Sequence, residues 1–368
     1  MREDSESGPG LILGVETSCD DSSVALMEGG QLIGQLVSSQ TRIHEEYGGI
    51  VPELATRQHL NNLLPLTREL FQRTERNIRE VKTVAATRGP GLPNALRIGF
   101  TFAQSLALGI GAQFEGIHHH EAHLFSSFLG GNPASFDLGY GADSPFPFIS
   151  LIVSGGHTML VHVEGIGRYR ILGKTIDDAA GECYDKTAKM IGFPYPGGPH
   201  IDAMAPAGNP KAIRFPRPMI HEKGFNFSFS GLKTAVRYYL RDNPQTLESE
   251  SGRADLCAGI QAAIVEILTA RSVQACRKYK CRLLTAAGGV IANKGLRKNL
   301  EVHCRKHQIQ FLPAQLEFAT DNAAMVAALA EARILARHSS SRPDNNMHLD
   351  IRPTWSIEDA DVCLSGIR

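Results

Sequence analysis

The segment His119-His120-Glu121-Ala122-His123 sets two imidazoles four residues apart. On a helix that spacing puts both rings on one face, where a single metal ion can be gripped by neutral nitrogen donors. This is not the zinc-protease pattern, which needs a glutamate directly after the first histidine. Here Glu121 stands two positions after His119. The pair also reads as the polar start of a helix beside a strand end. A third ligand must come from elsewhere, and Asp321 in Thr320-Asp321-Asn322 is the best placed acid, its alternative role being a helix N-cap. Two imidazoles and one carboxylate leave coordination positions open, which suits iron or zinc that still binds water or substrate.

A second kind of chemistry lies in glycine turns. Ile152-Val153-Ser154-Gly155-Gly156-His157-Thr158 and Gly14-Val15-Glu16-Thr17-Ser18-Cys19-Asp20 each follow a short apolar run. Small, hydroxyl-bearing residues after a strand let backbone N–H groups approach and cradle an anion, because no bulky side chain blocks access. Two such turns suggest two lobes holding phosphates between them; a pair of ordinary hairpins is the competing reading. Ala287-Gly288-Gly289-Val290-Ile291-Ala292-Asn293 is a further glycine turn, suited to a base or ribose lying on the backbone, or to a simple tight connection. It lacks the spacing of a dinucleotide fingerprint, which argues against a nicotinamide enzyme. Asp177, Asp178, Glu182 and Asp185, followed by Tyr195-Pro196-Gly197-Gly198-Pro199, carry more acidity than a helix dipole needs, unless they form a solvated face.

These residues need elements to hold them. Apolar runs predict strands over 11–15, 24–27, 31–37, 83–87 and 114–117, with a hairpin at Gly29-Gly30. Helices are expected from Pro52 towards Phe71, with Leu54, Leu60, Leu63, Leu64 and Leu70 as the apolar stripe, and over 95–108. Residues 130–145 are rich in Gly, Pro, Asn, Ser and Asp and read as a linker ending an N-terminal lobe at 11–145. The pattern then restarts, with strands over 148–153, 158–163 and 169–172 and a helix over 178–191. Helices around 232–241 and 253–277, strands over 282–286 and 308–312, and helices from Asn293 and from Asp321 to about Arg337 complete a lobe at 146–346. Residues 347–368 are expected to return to the N-terminal lobe. The repeat of hairpin, strand and helix reads as an internal duplication, with sheets covered by helices and ligand at the strand ends.

A chain of 368 residues has room for two such lobes, and 42% hydrophobic with 21% charged residues is globular composition. Lys plus Arg equals Asp plus Glu, so no global field draws the protein to nucleic acid or membrane. A polyanionic partner would need a local basic patch or a helper subunit. The seven cysteines are odd in number and lack a CxxC spacing, the usage of a reducing compartment. No apolar stretch approaches the length of a membrane span. Residues 1–10 read as an acidic, polar tail rather than a secretion signal or transit peptide, which suits a cytoplasmic protein.

Taken together these segments resemble the TsaD family, the threonylcarbamoyltransferases that make N6-threonylcarbamoyladenosine in tRNA. The matching pieces are Gly14 to Asp20, Tyr47-Gly48-Gly49-Ile50-Val51-Pro52-Glu53, Gly89-Pro90-Gly91-Leu92, the His119/His123 pair and Val153-Ser154-Gly155-Gly156-His157-Thr158. They continue with the acidic segment 177–186, Tyr195-Pro196-Gly197-Gly198-Pro199, Phe227-Ser228-Phe229-Ser230-Gly231-Leu232-Lys233, residues 287–293 and Thr320-Asp321-Asn322. Ten motifs in family order, covering nearly everything from Leu11 to Trp355, make a specific match. Ala122, His120, Ile152 and Pro93-Asn94 depart from the usual family residues, and none is a proposed ligand.

The resemblance implies an α/β protein of the actin-like ATPase fold (sugar kinase and Hsp70-like), two duplicated ribonuclease-H-like lobes around a cleft. It implies that His119, His123 and Asp321 bind one divalent metal, iron first, with zinc or magnesium as alternatives. By the same carry-over Val153, Ser154, Gly155, Gly156, Asp185, Gly198, Asp202 and Asn293 hold the adenylate, either threonylcarbamoyl-AMP or ATP. The implied reaction moves the threonylcarbamoyl group to N6 of the adenosine 3′ of the anticodon, with Asp20 or Glu16 managing the amine proton. Arg88, Arg97, Lys211, Arg214, Arg217 and Lys233 are candidates to meet tRNA phosphates, or ordinary surface charges. The expected partners are tRNA, through its anticodon loop, with an inactive TsaB-like paralogue and a small TsaE-like ATPase if bacterial. A homodimer is expected instead if the protein is mitochondrial. A small-molecule kinase of the same fold, a metalloprotease and a non-catalytic nucleotide-binding scaffold are the rival functions.

Overall fold

The computed structural model describes residues 9–130, 144–337 and 346–360. Most of the expected tail 1–10 and linker 130–145, the loop after α-helical residue 337 and the last eight residues, including Cys363, lie outside the described residues.

The chain opens with an antiparallel meander of β1 (Leu11–Glu16), β2 (Asp21–Glu28) and β3 (Gln31–Ser39). It continues through α1 (Thr41–Glu45), α2 (Pro52–Thr74), β4 (Val81–Gly89), α3 (Pro93–Ile110), β5 (Gln113–His118) and α4 (His119–Phe125). The second half repeats the meander in β6 (Phe148–Val153), β7 (Thr158–Gly165) and β8 (Arg168–Lys174). Then come α5 (Ala180–Ile191), α6 (Gly197–Met204), α7 (Ser230–Asp242), α8 (Glu250–Tyr279) and β9 (Leu283–Ala287). The chain proceeds through α9 (Lys294–Lys306), β10 (Gln310–Pro313), α10 (Leu316–Ala319) and α11 (Ala323–Arg337).

The sheet orders are β3-β2-β1-β4-β5 and β10-β9-β6-β7-β8. Read from the opposite edge, the second repeats the first with every strand advanced by five, so the duplication is exact in topology. In each sheet the first three strands pair antiparallel and the later two add in parallel. That is the two-lobed actin-like arrangement expected from the motifs.

Burial explains the layering. The faces of β1, β2 and β4 carrying Leu13, Val15, Leu26 and Val84 pack under α2 and α3. The outer face of the second sheet meets α5, α6, α8 and α9. A third core lies between the sheets, where Ile12, Ile117, Ile152 and Val161 close on α4 and α11. α11 is rich in alanine because backbones must approach closely there: a side chain at Gly14 would meet Ala327. Glu121 of α4 and Arg333 of α11 form a buried ion pair, and Tyr169 of β8 donates its hydroxyl to Glu121 at 2.8 Å. Removing one partner would strand a buried charge at a cost of about 3–5 kcal/mol.

Two expectations fail on packing. The core face of α2 runs through Ala55, His59, Leu63, Thr67 and Leu70, while Leu60 and Leu64 face outward, 66% and 49% exposed. Leucines at 60, 63 and 64 do not say which stripe faces the sheet; the small Ala55 and the bonded His59 and Thr67 do. α8 is long and apolar enough to cross a membrane by composition, contrary to the sequence reading, yet 78% of that window is buried inside the protein. It is the central core helix of the second lobe.

Residues 346–360 touch both halves. Gln104 of α3 donates its amide to the carbonyls of Met347 (3.2 Å) and Leu349 (3.0 Å), and Arg352 N–H donates to Arg88 O at 2.8 Å. Farther on, Ile171 N–H of β8 donates to Glu358 Oε1 at 2.8 Å. Between these anchors Trp355 lies between the guanidinium groups of Arg88 and Arg352, each 5.2 Å from its ring centre.

Candidate active site

Most of the motifs that suggested chemistry lie just past the C-terminal end of a strand; Tyr195 to Pro199 instead joins α5 to α6. Asp20 follows β1, α4 with its histidines follows β5, the 153–156 turn ends β6, and Gly288 ends β9. Asp321 sits between α10 and α11, beyond β10. Parallel strands all present these ends on one side, so the duplicated sheets bring distant segments to a common crevice.

His119, His123 and Asp321 form a cluster in which one ligand atom from each lies within 4.8 Å of the others. His123 Nε2 is 3.1 Å and His119 Nε2 3.5 Å from the same Asp321 oxygen. Both histidines are buried, and the Asp321 side chain keeps a quarter of its surface. Two nitrogens and one oxygen pointing at a common volume, with solvent on one side, suit a divalent ion that retains an open position.

A shell behind the ligands orients them. Glu16 is fully buried; its Oε1 accepts from Ser18 N–H at 2.5 Å, and its Oε2 from Thr87 O–H at 2.5 Å and His119 Nδ1 at 3.1 Å. A carboxylate behind Nδ1 holds a proton there, so that Nε2 is the nitrogen that would give up its own proton and offer a lone pair to an ion shared with Asp321. His118 Nδ1 accepts from Glu121 N–H at 3.3 Å, capping α4, while its Nε2 faces the Trp355 carbonyl at 3.3 Å. The segment 346–360 thus touches the turn that aims both metal-facing rings.

The electrostatics follow from burial and crowding. Burial pulls His119 down, but the Asp321 and Glu16 charges overcome it and carry its pKa up to about 9. Burial would raise Asp321, yet His119 and His123 hold it well below the ordinary carboxylate range. The proton on His119 occupies the role a cation would take. Burial, then the positive His119, lowers His157 to about 4; its ring lies 4.2 Å from that of His120, itself lowered by burial and His157. Asp20 is raised by burial and by the Asp321 charge. Asp21 rises to about 7 for the same two reasons and the Asp20 charge besides.

The residues expected to hold the adenylate lie on turns tied to one another by hydrogen bonds and close backbone approach. Ser154 N–H donates to His157 O at 2.7 Å, closing the turn, and Gly155 and Gly156 are exposed with nothing within 4 Å of a Cβ placed on either. Gly288 has φ +97°, and any side chain there would run into the Val153 carbonyl, so only glycine lets β9 pass this turn. Asp185 accepts from Gly197 N–H (2.7 Å) and Gly198 N–H (3.3 Å), pinning the start of α6. Asp202 accepts from Lys294 N–H at 3.1 Å and Asn293 caps α9 through Leu296 N–H at 2.8 Å. These three polar residues shape the glycine backbone through hydrogen bonds of their own.

Of the two acids expected to manage a proton, Glu16 is fully buried with both oxygens bonded to neighbours, one of them His119. Asp20 keeps partial exposure. Sequence reasoning missed Asp21, Thr87 and Trp355, and quoted His157 within the glycine turn without giving it a role. Asp21 carried a local hint, being adjacent to Asp20 at a strand start.

A family model described as TsaD, tRNA N6-adenosine threonylcarbamoyltransferase, matches residues 31–328. A protein of that name from Variovorax paradoxus is 44% identical over 94% of this chain and 96% of its own length. Another from Methylibium petroleiphilum is 44% identical over 96% of this chain and 99% of its own. Among solved structures, component A of the (R)-2-hydroxyglutaryl-CoA dehydratase of Acidaminococcus fermentans is 15% identical with a TM-score of 0.50, over 89% of this chain and 99% of that one. That likeness concerns the fold alone.

Proposed function

This chain belongs to the tRNA N6-adenosine threonylcarbamoyltransferase family, and on that premise we propose how its residues carry out the transfer. The substrate pair is threonylcarbamoyl-AMP and the adenosine 3′ of the anticodon. The new bond joins the adenine N6 to the carbamoyl carbon, the carbon–oxygen bond to phosphate breaks, and its electron pair leaves on AMP. The donor is already activated, so no protein nucleophile is needed, and positioning supplies much of the acceleration.

The glycine backbone of the 153–156 turn, where nothing lies within 4 Å of a Cβ at Gly155 or Gly156, and the start of α6 would take the phosphate and ribose. Asp185 supports this role by holding the start of α6 in shape, while Asp202 and Asn293 fix the start of α9 against α6. His119, His123 and Asp321 would hold a divalent ion, iron first and zinc or magnesium next, which when bound supplies polarisation and orientation of the threonylcarbamoyl oxygens. Asp20 would receive the N6 proton: its raised pKa makes it a better base than an ordinary aspartate. Glu16 keeps His119 in the ligating tautomer. An unpaired loop base can enter such a crevice without opening a duplex.

The single observation that carries this reading is the convergence of the two-histidine, one-carboxylate cluster with the open glycine turn at shared strand ends. A small-molecule kinase has no use for that cluster, and a scaffold could lose it. The likeness to relatives from bacteria supports work with an inactive paralogue and a small ATPase, in the cytoplasm, rather than as a self-sufficient homodimer. The test supplies threonylcarbamoyl-AMP and unmodified tRNA, with and without those partners, and measures the modified nucleoside by mass spectrometry. His119→Ala and Asp321→Ala should abolish product while the circular dichroism spectrum stays native. Undiminished product from either variant defeats the assignment.

A further inference from the structure

The formal net charge of the chain is zero, yet residues 211–241 contain seven Lys and Arg against one acid, Glu222. The loop before α7 runs along that helix: the Phe215 ring meets Tyr239 edge-on at 5.9 Å, and Pro218 lies beside Gly231. Lys211, Arg214 and Lys223 are exposed on this loop, as Arg237 and Arg241 are on the helix beside it. Arg217 is engaged by Glu266 and Lys233 by Asp178. Lys211, Arg214, Lys223 and Arg237 have no acidic partner among the described residues. On the outer face of α7, Arg237 and Arg241 lie 5.4 and 4.9 Å from the centre of the Tyr238 ring, which is 47% exposed. Arg241 also pairs with Asp242, both well exposed, a contact weak enough for a phosphate to displace.

The placement matters as much as the charge. Asp177 accepts from Phe229 N–H (2.8 Å) and Ser230 N–H (3.3 Å), anchoring the first turn of α7. Nearby, Gly181 N–H of α5 donates to Ser154 O at 3.2 Å. α7 thus starts at the lip of the glycine turn and leads away from it for roughly 20 Å at 1.5 Å per residue. A second basic group, Arg277, Lys278, Lys280 and Arg282, precedes β9 at the sheet end away from the crevice; of these, Lys278 adjoins the end of the loop, 5.2 Å from the Phe225 ring. A ligand seated there would point away from the crevice.

We propose that the outer face of α7, with the loop 211–223 beside it, docks the anticodon arm of the tRNA. The arginines and lysines meet backbone phosphates, and Tyr238 stacks on an unpaired base. This docking rests on the tRNA reading above and specifies where the RNA lies.

The test uses the full chain with labelled anticodon stem-loop RNA, followed by fluorescence anisotropy across a salt series. Arg237→Glu/Arg241→Glu should weaken binding at least about tenfold near ~0.1 M salt and flatten the slope of log affinity against log salt by about 2. Tyr238→Ala should weaken it about tenfold, with Tyr238→Phe restoring it. Lys280→Glu/Arg282→Glu, at the far end, should stay within about twofold of wild type. Metal content and native circular dichroism should be unchanged in all four. Wild-type affinity in the α7 variants, or a loss confined to the far-end variant, overturns the docking. Product formation separates the two claims: wild type that modifies tRNA beside α7 variants with unaltered KM for tRNA refutes the docking alone. Absence of product from wild type refutes the function, and the anisotropy series still judges the docking.

Discussion

Glu16→Gln changes neither the length nor the branching of a side chain that has no exposed surface, so its effect is electrostatic and directional. Glu16 faces three donors: Ser18 N–H, Thr87 O–H and His119 Nδ1. A carboxylate accepts from all of them, whereas an amide has one accepting oxygen and one NH2. If the oxygen stays on Ser18, the NH2 meets the Thr87 hydroxyl, which can turn to accept, and His119 Nδ1, which can accept only by giving up its proton. That proton then moves to Nε2, the nitrogen 3.5 Å from Asp321 that must offer a lone pair to a metal. Loss of such an orienting partner costs about 10–100-fold in metal affinity, or about 1.4–2.8 kcal/mol. Chelator competition under anaerobic conditions, with Fe2+ and then Zn2+, measures it. Excess metal should restore product in the Glu16→Gln protein, and Thr87→Val, which leaves the contact to His119 in place, should bind metal within a few-fold of wild type. Wild-type metal affinity in a folded Glu16→Gln protein would refute the tautomer argument.

Two further predictions follow from the same geometry. In the metal-free protein the His119 pKa is raised to about 9, above its ordinary 6.5, so proton-linked stability is complete below pH 6.5 and lost as pH rises through about 9. The melting temperature of the metal-free form should therefore fall over that window. Metal affinity should climb by up to about tenfold per pH unit with proton release in calorimetry, and a flat affinity profile counts against it. The glycine turns separate folding from binding. Gly288→Ala combines a positive φ with a clash on Val153 and should destabilise by about 1–3 kcal/mol in denaturant titration. Gly155→Ala meets nothing, so its stability should stay within about 0.5 kcal/mol of wild type while adenylate affinity falls. Unchanged adenylate affinity would remove the 153–156 turn from the binding site.

The duplication was legible because each lobe begins with the same local pattern, an apolar strand ending in small residues and a returning strand. The order β3-β2-β1-β4-β5 and its repeat follow from that pattern. The leucine-rich stripe of α2 was misjudged since periodicity finds an apolar face but not the partner that buries it; Leu60 and Leu64 turned out to face solvent. The buried membrane-length stretch of α8 illustrates the same limit, for an apolar helix looks alike whether lipid or protein surrounds it.

In the site, the amino-acid order by itself determined that His119 and His123 share a helix face, because four residues make about one turn whatever the surroundings. It also determined which turns leave the backbone bare. Tertiary structure alone decided that Asp321, far along the chain, completes the cluster in space, and that Glu16 lies buried against Ser18, Thr87 and His119. It decided as well that His157, Asp21 and Trp355 belong to the neighbourhood. Helical spacing is a property of adjacent bonds. Charge state, tautomer and solvent access depend on which distant segments are packed against a group, and no stretch of sequence carries that information alone.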